Sequence, residues 1–159
     1  MAAQKILIAF YSRSGTTRKI AEALAAQVKG DIEKIIASES HAGFLGILRS
    51  LIEAMQQRPA QIEPARRNPS SYDLVIIGTP VWAWSVSSPV RSYLIRNANK
   101  LPQVAFFCTM GGRGEKGTFA QIQALAGKAP RATAAFTTTE VSEGKFQPRL
   151  AAFVQALAS

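Results

Sequence analysis

Four short, unbroken apolar runs constrain this chain more than any other feature: Ile6–Tyr11, Leu74–Gly78, Val104–Cys108 and the weaker Ala132–Thr138. A strand with one wet face alternates apolar and polar residues. A continuous run belongs to a strand covered on both faces, as in a parallel sheet. A fifth segment, Ile32–Ala37, alternates partly. Helical periodicity fills the gaps. Thr17–Val28 sets Ile20, Ala21, Leu24, Ala25 and Val28 on one face, and Phe44–Met55 repeats Leu45, Leu48, Leu51, Ile52 and Met55. Pro89–Asn97 carries Val90, Tyr93 and Leu94 and opens on Ser88-Pro89, a capping residue followed by proline at the first helical position. Phe119–Ala126 and Leu150–Leu157 complete the set. Strict alternation of strand and helix predicts a three-layer α/β sandwich around a five-stranded parallel sheet with right-handed crossovers. The stretch Gln57–Tyr72, with Pro59, Pro64 and Pro69, reads as an extended connection. No repeat or boundary interrupts the pattern, so 1–159 is expected to form one domain.

Composition removes several function classes. Cys108 and His41 are the only cysteine and the only histidine. An intrachain disulfide, a Cys/His metal cluster and a histidine triad away from His41 are therefore excluded. The first apolar stretch is too short for a signal-peptide core or a membrane span, so a cytoplasmic protein that does not enter the membrane is expected. Lysine and arginine number 19 against 10 acidic residues, a net charge of +9. Such a chain attracts anions, whether nucleotides or acidic proteins. The cations are scattered, with no run longer than Arg18-Lys19 or Arg66-Arg67, so a nucleic-acid partner is not expected.

In an open parallel sheet, ligands bind beyond the carboxyl ends of the strands. Three loops leave those ends. The first, Tyr11–Arg18, places Ser12, Ser14, Thr16 and Thr17 around Gly15. Hydroxyl donors beside the unpaired N–H groups of a helix start make a phosphate site. Helix capping alone needs one such residue, and four in six positions favour the phosphate. Neither a Walker P-loop nor a GxGxxG fingerprint is present. The second loop, Gly78–Pro89, holds both tryptophans, Trp82 and Trp84. Their flat surfaces suit a planar aromatic ligand, or else fold back over a helix end. The third, Thr109–Gly117, contains Gly111, Gly112, Gly114 and Gly117, so its backbone either approaches a ligand closely or serves as a flexible link. Cys108 and Arg113 are separated by four residues where a phosphatase loop needs five, so Cys108 is read as a buried strand residue.

Together these loops describe a ligand with a phosphate at one end and a flat polar ring at the other. In Lys5–Leu24, Tyr72–Leu94 and Thr109–Gly114 the chain resembles the flavodoxin family, over nearly its whole length. The resemblance implies sheet order 2-1-3-4-5 and non-covalently bound FMN. It places Ser12, Arg13, Ser14, Gly15, Thr16 and Thr17 at the phosphate. It places Pro80, Val81, Trp82, Ala83 and Trp84 along the isoalloxazine, with Trp82 the first choice for contact. Thr109, Met110, Gly111 and Gly112 would meet the pyrimidine edge through their backbones.

Two departures bear on function. The third loop has no aromatic residue before Phe119, which leaves one flavin face open to a flat acceptor such as a quinone. The chain is also basic where dedicated carriers of the family are typically acidic. Arg13, Arg18, Arg91, Arg113 and Lys116 fall on or near the ligand end. Positive charge there should raise the flavin potential, each charge contributing on the order of 1 kcal/mol. The leading expectation is an electron carrier docking on a redox partner with an acidic surface. The alternatives are an NAD(P)H-dependent reductase of quinones and a non-redox binding module on the same scaffold.

Overall fold

The computed structural model describes residues 4–38, Leu48 and 61–158. The helix expected over Phe44–Met55 lies outside these residues except for Leu48, as do His41, Arg49 and Arg58. Among the described residues there are six strands: β1 (Ile6–Phe10), β2 (Asp31–Lys34), β3 (Leu74–Trp82), β4 (Ser85–Val86), β5 (Gln103–Met110) and β6 (Thr133–Thr137). The described helices are α1 (Thr16–Val28), α2 (Ser88–Asn97), α3 (Glu115–Ala126), α4 (Thr138–Ser142) and α5 (Gln147–Leu157). The long strands run parallel in the order β2-β1-β3-β5-β6. With the short β4 set aside, this is the expected 2-1-3-4-5.

The unbroken apolar runs are explained by where alternate side chains go. Leu7, Ala9, Val75, Ile77, Val104 and Phe106 pack on one face with Val90, Tyr93 and Leu94 of α2 and Ile122 of α3. Ile6, Ile8, Leu74, Ile76, Ala105 and Phe107 pack on the other with Ile20 and Leu24 of α1 and Leu150 and Phe153 of α5. Gly78, opposite Phe10 and Phe107 in the sheet, leaves room for the Phe107 ring: a Cβ there would stand 2.2 Å from it.

Several boundaries differ from the sequence reading. β2 is shorter than Ile32–Ala37 because it is an edge strand, and beyond it only an isolated antiparallel bridge joins Ala37 to Ile62. Its one buried charge, Glu33, accepts the backbone N–H groups of Arg66 (3.0 Å) and Arg67 (2.7 Å). The connection after Gln61 is not wholly extended, since Pro69–Ser71 forms a 3-10 turn capped by the Asn68 side chain. Helix α2 is preceded by Ser87, not Ser88, and Pro89 sits in its first turn. The Ser87 hydroxyl instead accepts from Thr79 Oγ1 at 2.9 Å, which ties the helix start to β3. The five-residue helix α4 is not expected from apolar periodicity; a Thr137–Glu140 capping box makes so short a helix possible. No helix among the described residues is long and apolar enough to cross a membrane.

Candidate functional site

At the carboxyl end of β1 the chain turns through Gly15, the residue before α1, at φ +100°, a conformation that favours glycine. Ser12 Oγ accepts the N–H groups of Gly15 and Arg18, each at 3.1 Å. This serine therefore organises the helix start from behind. As the first residues of α1, Thr16 and Thr17 have N–H groups with no intrahelical partner, and no acceptor meets them among the described residues. Ser14 Oγ and Thr16 Oγ1, 3.4 Å apart, stand beside them. The buried Thr17 hydroxyl instead meets Thr109 Oγ1 at 2.8 Å, joining the first loop to the end of β5.

The second loop is a hairpin. β3 continues through Trp82, turns at Ala83 and Trp84, and returns as β4, with Trp82 opposite Ser85. Both turn residues have positive φ (49° and 60°), the geometry of a primed two-residue turn. Neither residue is the glycine or asparagine that announces such a turn, which is why the sequence reads as a loop. The turn separates the tryptophans. Trp82 is buried, edge-on to Tyr11 with ring centroids 5.5 Å apart, and the Arg13 guanidinium lies 5.3 Å from the Trp82 ring centre. Trp84 is 68% exposed. Gln121 of α3 anchors the hairpin base. Its amide oxygen accepts from Val86 N (2.9 Å) and Arg91 Nη2 (3.0 Å), and its amide nitrogen donates to Ser85 Oγ (2.9 Å). Arg91 is thus buried under the hairpin, not on the ligand rim, and burial lowers its pKa.

The third loop begins within β5. Thr109 and Met110 end the strand, and the Met110 carbonyl accepts from Thr138 Oγ1 at 3.2 Å. A Cβ on Gly111 or Gly112 would meet nothing within 4 Å, so the space over this backbone is open. Phe119 cannot cover it, because its ring stacks on Phe106 in the core. Cys108 is buried, and desolvation, with a smaller contribution from Glu115, pushes its thiol up to about 12. That is the behaviour of a packing residue.

These loops enclose a cleft of about 150 Å3. Arg13, Ser14, Thr16 and Thr17 line one end, Pro80, Val81 and Trp82 a second wall, and Thr109, Met110 and Gly111 the third. Thr138 completes the lining. Sequence reasoning missed it because it follows a strand whose apolar signal was weak. Ser12, Gly15, Ala83, Trp84 and Gly112 lie outside the lining. Wider clefts of about 450 Å3 and 310 Å3 occur elsewhere, but neither combines a helix start with hydroxyls and an aromatic wall. Among the described residues no acidic, histidine and cysteine side chains are grouped as a metal site would need.

The fold is an open α/β sheet, and the cleft lies at its carboxyl edge, beside the point where strand order reverses and where ligands of such sheets bind. Residues 5–134 match the model of the family described as Flavodoxin, and the chain belongs to that family. It is similar to a flavoprotein of Lactobacillus acidophilus crystallised with FMN, at 27% identity and TM-score 0.74, covering 89% of this chain and 98% of that one. A protein of Bacteroides eggerthii shares 24% identity at TM-score 0.74, over 95% of this chain and 98% of its own. An archaeal flavodoxin shares the fold at 16% identity and TM-score 0.53, over 96% and 98% of the two chains. No curated protein matches the chain.

Proposed function

We propose that the protein holds FMN in this cleft and passes electrons between the flavin and a partner protein. One observation carries the reading: three loops distant in sequence bring free helix-start N–H groups, hydroxyls, a fixed indole and an open glycine backbone into a single cleft. The donor set fits the cofactor. The N–H groups of Thr16 and Thr17, with the hydroxyls of Ser14 and Thr16, would hold the phosphate, and the partial positive charge of the helix start favours an anion there. Tyr11 fixes the orientation of Trp82, which supplies a flat apolar wall for the ring system. The Gly111–Gly112 backbone, free of side chains, can meet the polar ring edge. When bound, FMN supplies one- and two-electron redox chemistry, and the protein sets its exposure and potential. A titration of apoprotein with FMN, followed by flavin fluorescence and visible absorbance, tests the proposal. Saturable one-to-one quenching supports it; no binding at micromolar FMN refutes it.

The open space over Gly111 and Gly112 favours one further reading, a reductase that admits NAD(P)H and then a flat acceptor such as a quinone. Steady-state NADPH oxidation by the FMN-loaded protein with a quinone, and no other protein, separates the two. A carrier shows essentially none.

A further inference from the structure

We infer that Trp84, with Arg113 and Lys116, forms a docking surface for an acidic electron-transfer protein; this rests on the carrier reading above and names its partner's chemistry. The hairpin does not need a tryptophan at this position. A residue at φ 60° in a primed turn is best served by glycine or asparagine, and an indole there is held in a backbone region that large side chains rarely adopt. Nor does the core need it, because Trp84 is 68% exposed while Trp82 is buried.

The backbone that carries the indole is nonetheless braced. The hairpin is paired to β3 and anchored at the base by Gln121. The Trp84 backbone lies against the first turn of α3: a Cβ on Gly114 would stand 3.1 Å from Trp84 Cα, and one on Gly117 3.4 Å from its carbonyl oxygen. An exposed aromatic that loses little freedom on association has the character of an interface anchor.

The neighbouring charge selects the partner. Arg113 and Lys116 flank those glycines in sequence and are exposed, and Arg13 lies over Trp82 across the hairpin. Among the described residues, three carboxylates towards this end of the sheet are engaged or withdrawn: Glu22 pairs with Arg18 at 3.6 Å, Glu140 with Arg149 at 3.1 Å, and Glu115 is half-buried. An acidic surface would be steered here, and a basic one repelled. Trp84 sits in the turn itself, two residues beyond the cleft-lining Trp82, so a protein seated on Trp84 borders the cleft.

The probe is a reduced, acidic plant-type [2Fe–2S] ferredoxin mixed with the FMN-loaded protein in a stopped-flow instrument, with basic cytochrome c as the contrast. The parent should accept electrons from the ferredoxin at a second-order rate that falls as NaCl rises. Trp84→Ala and Trp84→Gly should each lower that rate about tenfold at low salt, leaving FMN affinity unchanged. The glycine variant also removes the strained turn residue, so loss of folding cannot account for its defect. Arg113→Glu with Lys116→Glu should lower the rate further and reverse the salt dependence. Rates unchanged by both Trp84 variants, or a salt dependence like that with cytochrome c, would overturn the proposal. So would a severalfold loss of FMN affinity in Trp84→Ala, which would return the indole to the flavin, or self-association of the parent abolished by the same change. A chain that takes up no FMN fails the earlier reading before ferredoxin is added. Docking is then scored by calorimetry with oxidised ferredoxin, where no difference between parent and Trp84→Ala sinks it.

Discussion

Replacing Gly78 by alanine tests the packing that holds the cleft's central strand in place. The added methyl would stand 2.2, 2.5 and 2.9 Å from three carbons of the Phe107 ring, where ordinary contact begins near 3.4 Å. The ring must therefore retreat by roughly 1 Å, and it is fully buried with Phe136 set edge-on against it at 6.3 Å. Overpacking of this kind costs about 1–3 kcal/mol. The smaller unfolded-state entropy of alanine offsets roughly 0.4–1 kcal/mol of it. A net loss of about 1–2 kcal/mol is expected, or a Tm lowered by roughly 2–8 °C for a chain of this size. FMN binding should weaken as well, because Gly78 leads directly into the Pro80–Trp82 wall. Urea denaturation of Gly78→Ala, Phe107→Leu and the double variant forms the assay. If the ring is the obstacle, leucine relieves it, and the double variant is more stable than the sum of the single losses by about 1 kcal/mol or more. A Gly78→Ala protein as stable as its parent, or strictly additive losses, would refute the reasoning.

Trp82→Ala should weaken FMN binding by about tenfold to a hundredfold, as loss of a buried aromatic wall implies, measured by fluorescence titration. Thr17→Val leaves the Thr109 hydroxyl buried without its partner and should cost about 1–3 kcal/mol, while Thr17→Val with Thr109→Val should cost less, both read from urea curves. The Cys108 thiol, normally near 9 and pushed up to about 12, keeps its proton in the folded state while the unfolded chain ionises. It therefore contributes stability that is complete below about pH 9 and lost as pH rises toward about 12. Cys108→Val should flatten the decline of stability above pH 9, and the native thiol should resist a disulfide reagent at pH 8. Neutralising Arg13, Arg113 and Lys116 to glutamine should lower the potential of bound FMN by roughly 20–40 mV per charge in a spectroelectrochemical titration.

The fold was legible because its signal is repeated: residues such as Leu7 and Ile8 are both apolar because the sheet has two covered faces. The phosphate end was legible because hydroxyls and glycine crowd a strand–helix junction. What escaped the sequence depends on contacts made elsewhere. Ser12 and Thr17 have the same chemistry as Ser14 and Thr16, and only the fold assigns Ser12 to capping and Thr17 to Thr109. The hairpin was hidden because neither Ala83 nor Trp84 is a residue that favours positive φ, and the contact of Trp84 with Gly114 exists only in the fold. Arg91 reads as a surface cation until Gln121 is seen beside it.

The vacant space above Gly111 and Gly112 has an engineering consequence. A Cβ at Gly111 would meet nothing within 4 Å, so a tyrosine introduced at this lining position starts into open space and is the natural choice for roofing the cleft. With FMN bound as proposed, one codon would then adjust how far the flavin is shielded from oxygen and small oxidants, with the parent as the reference.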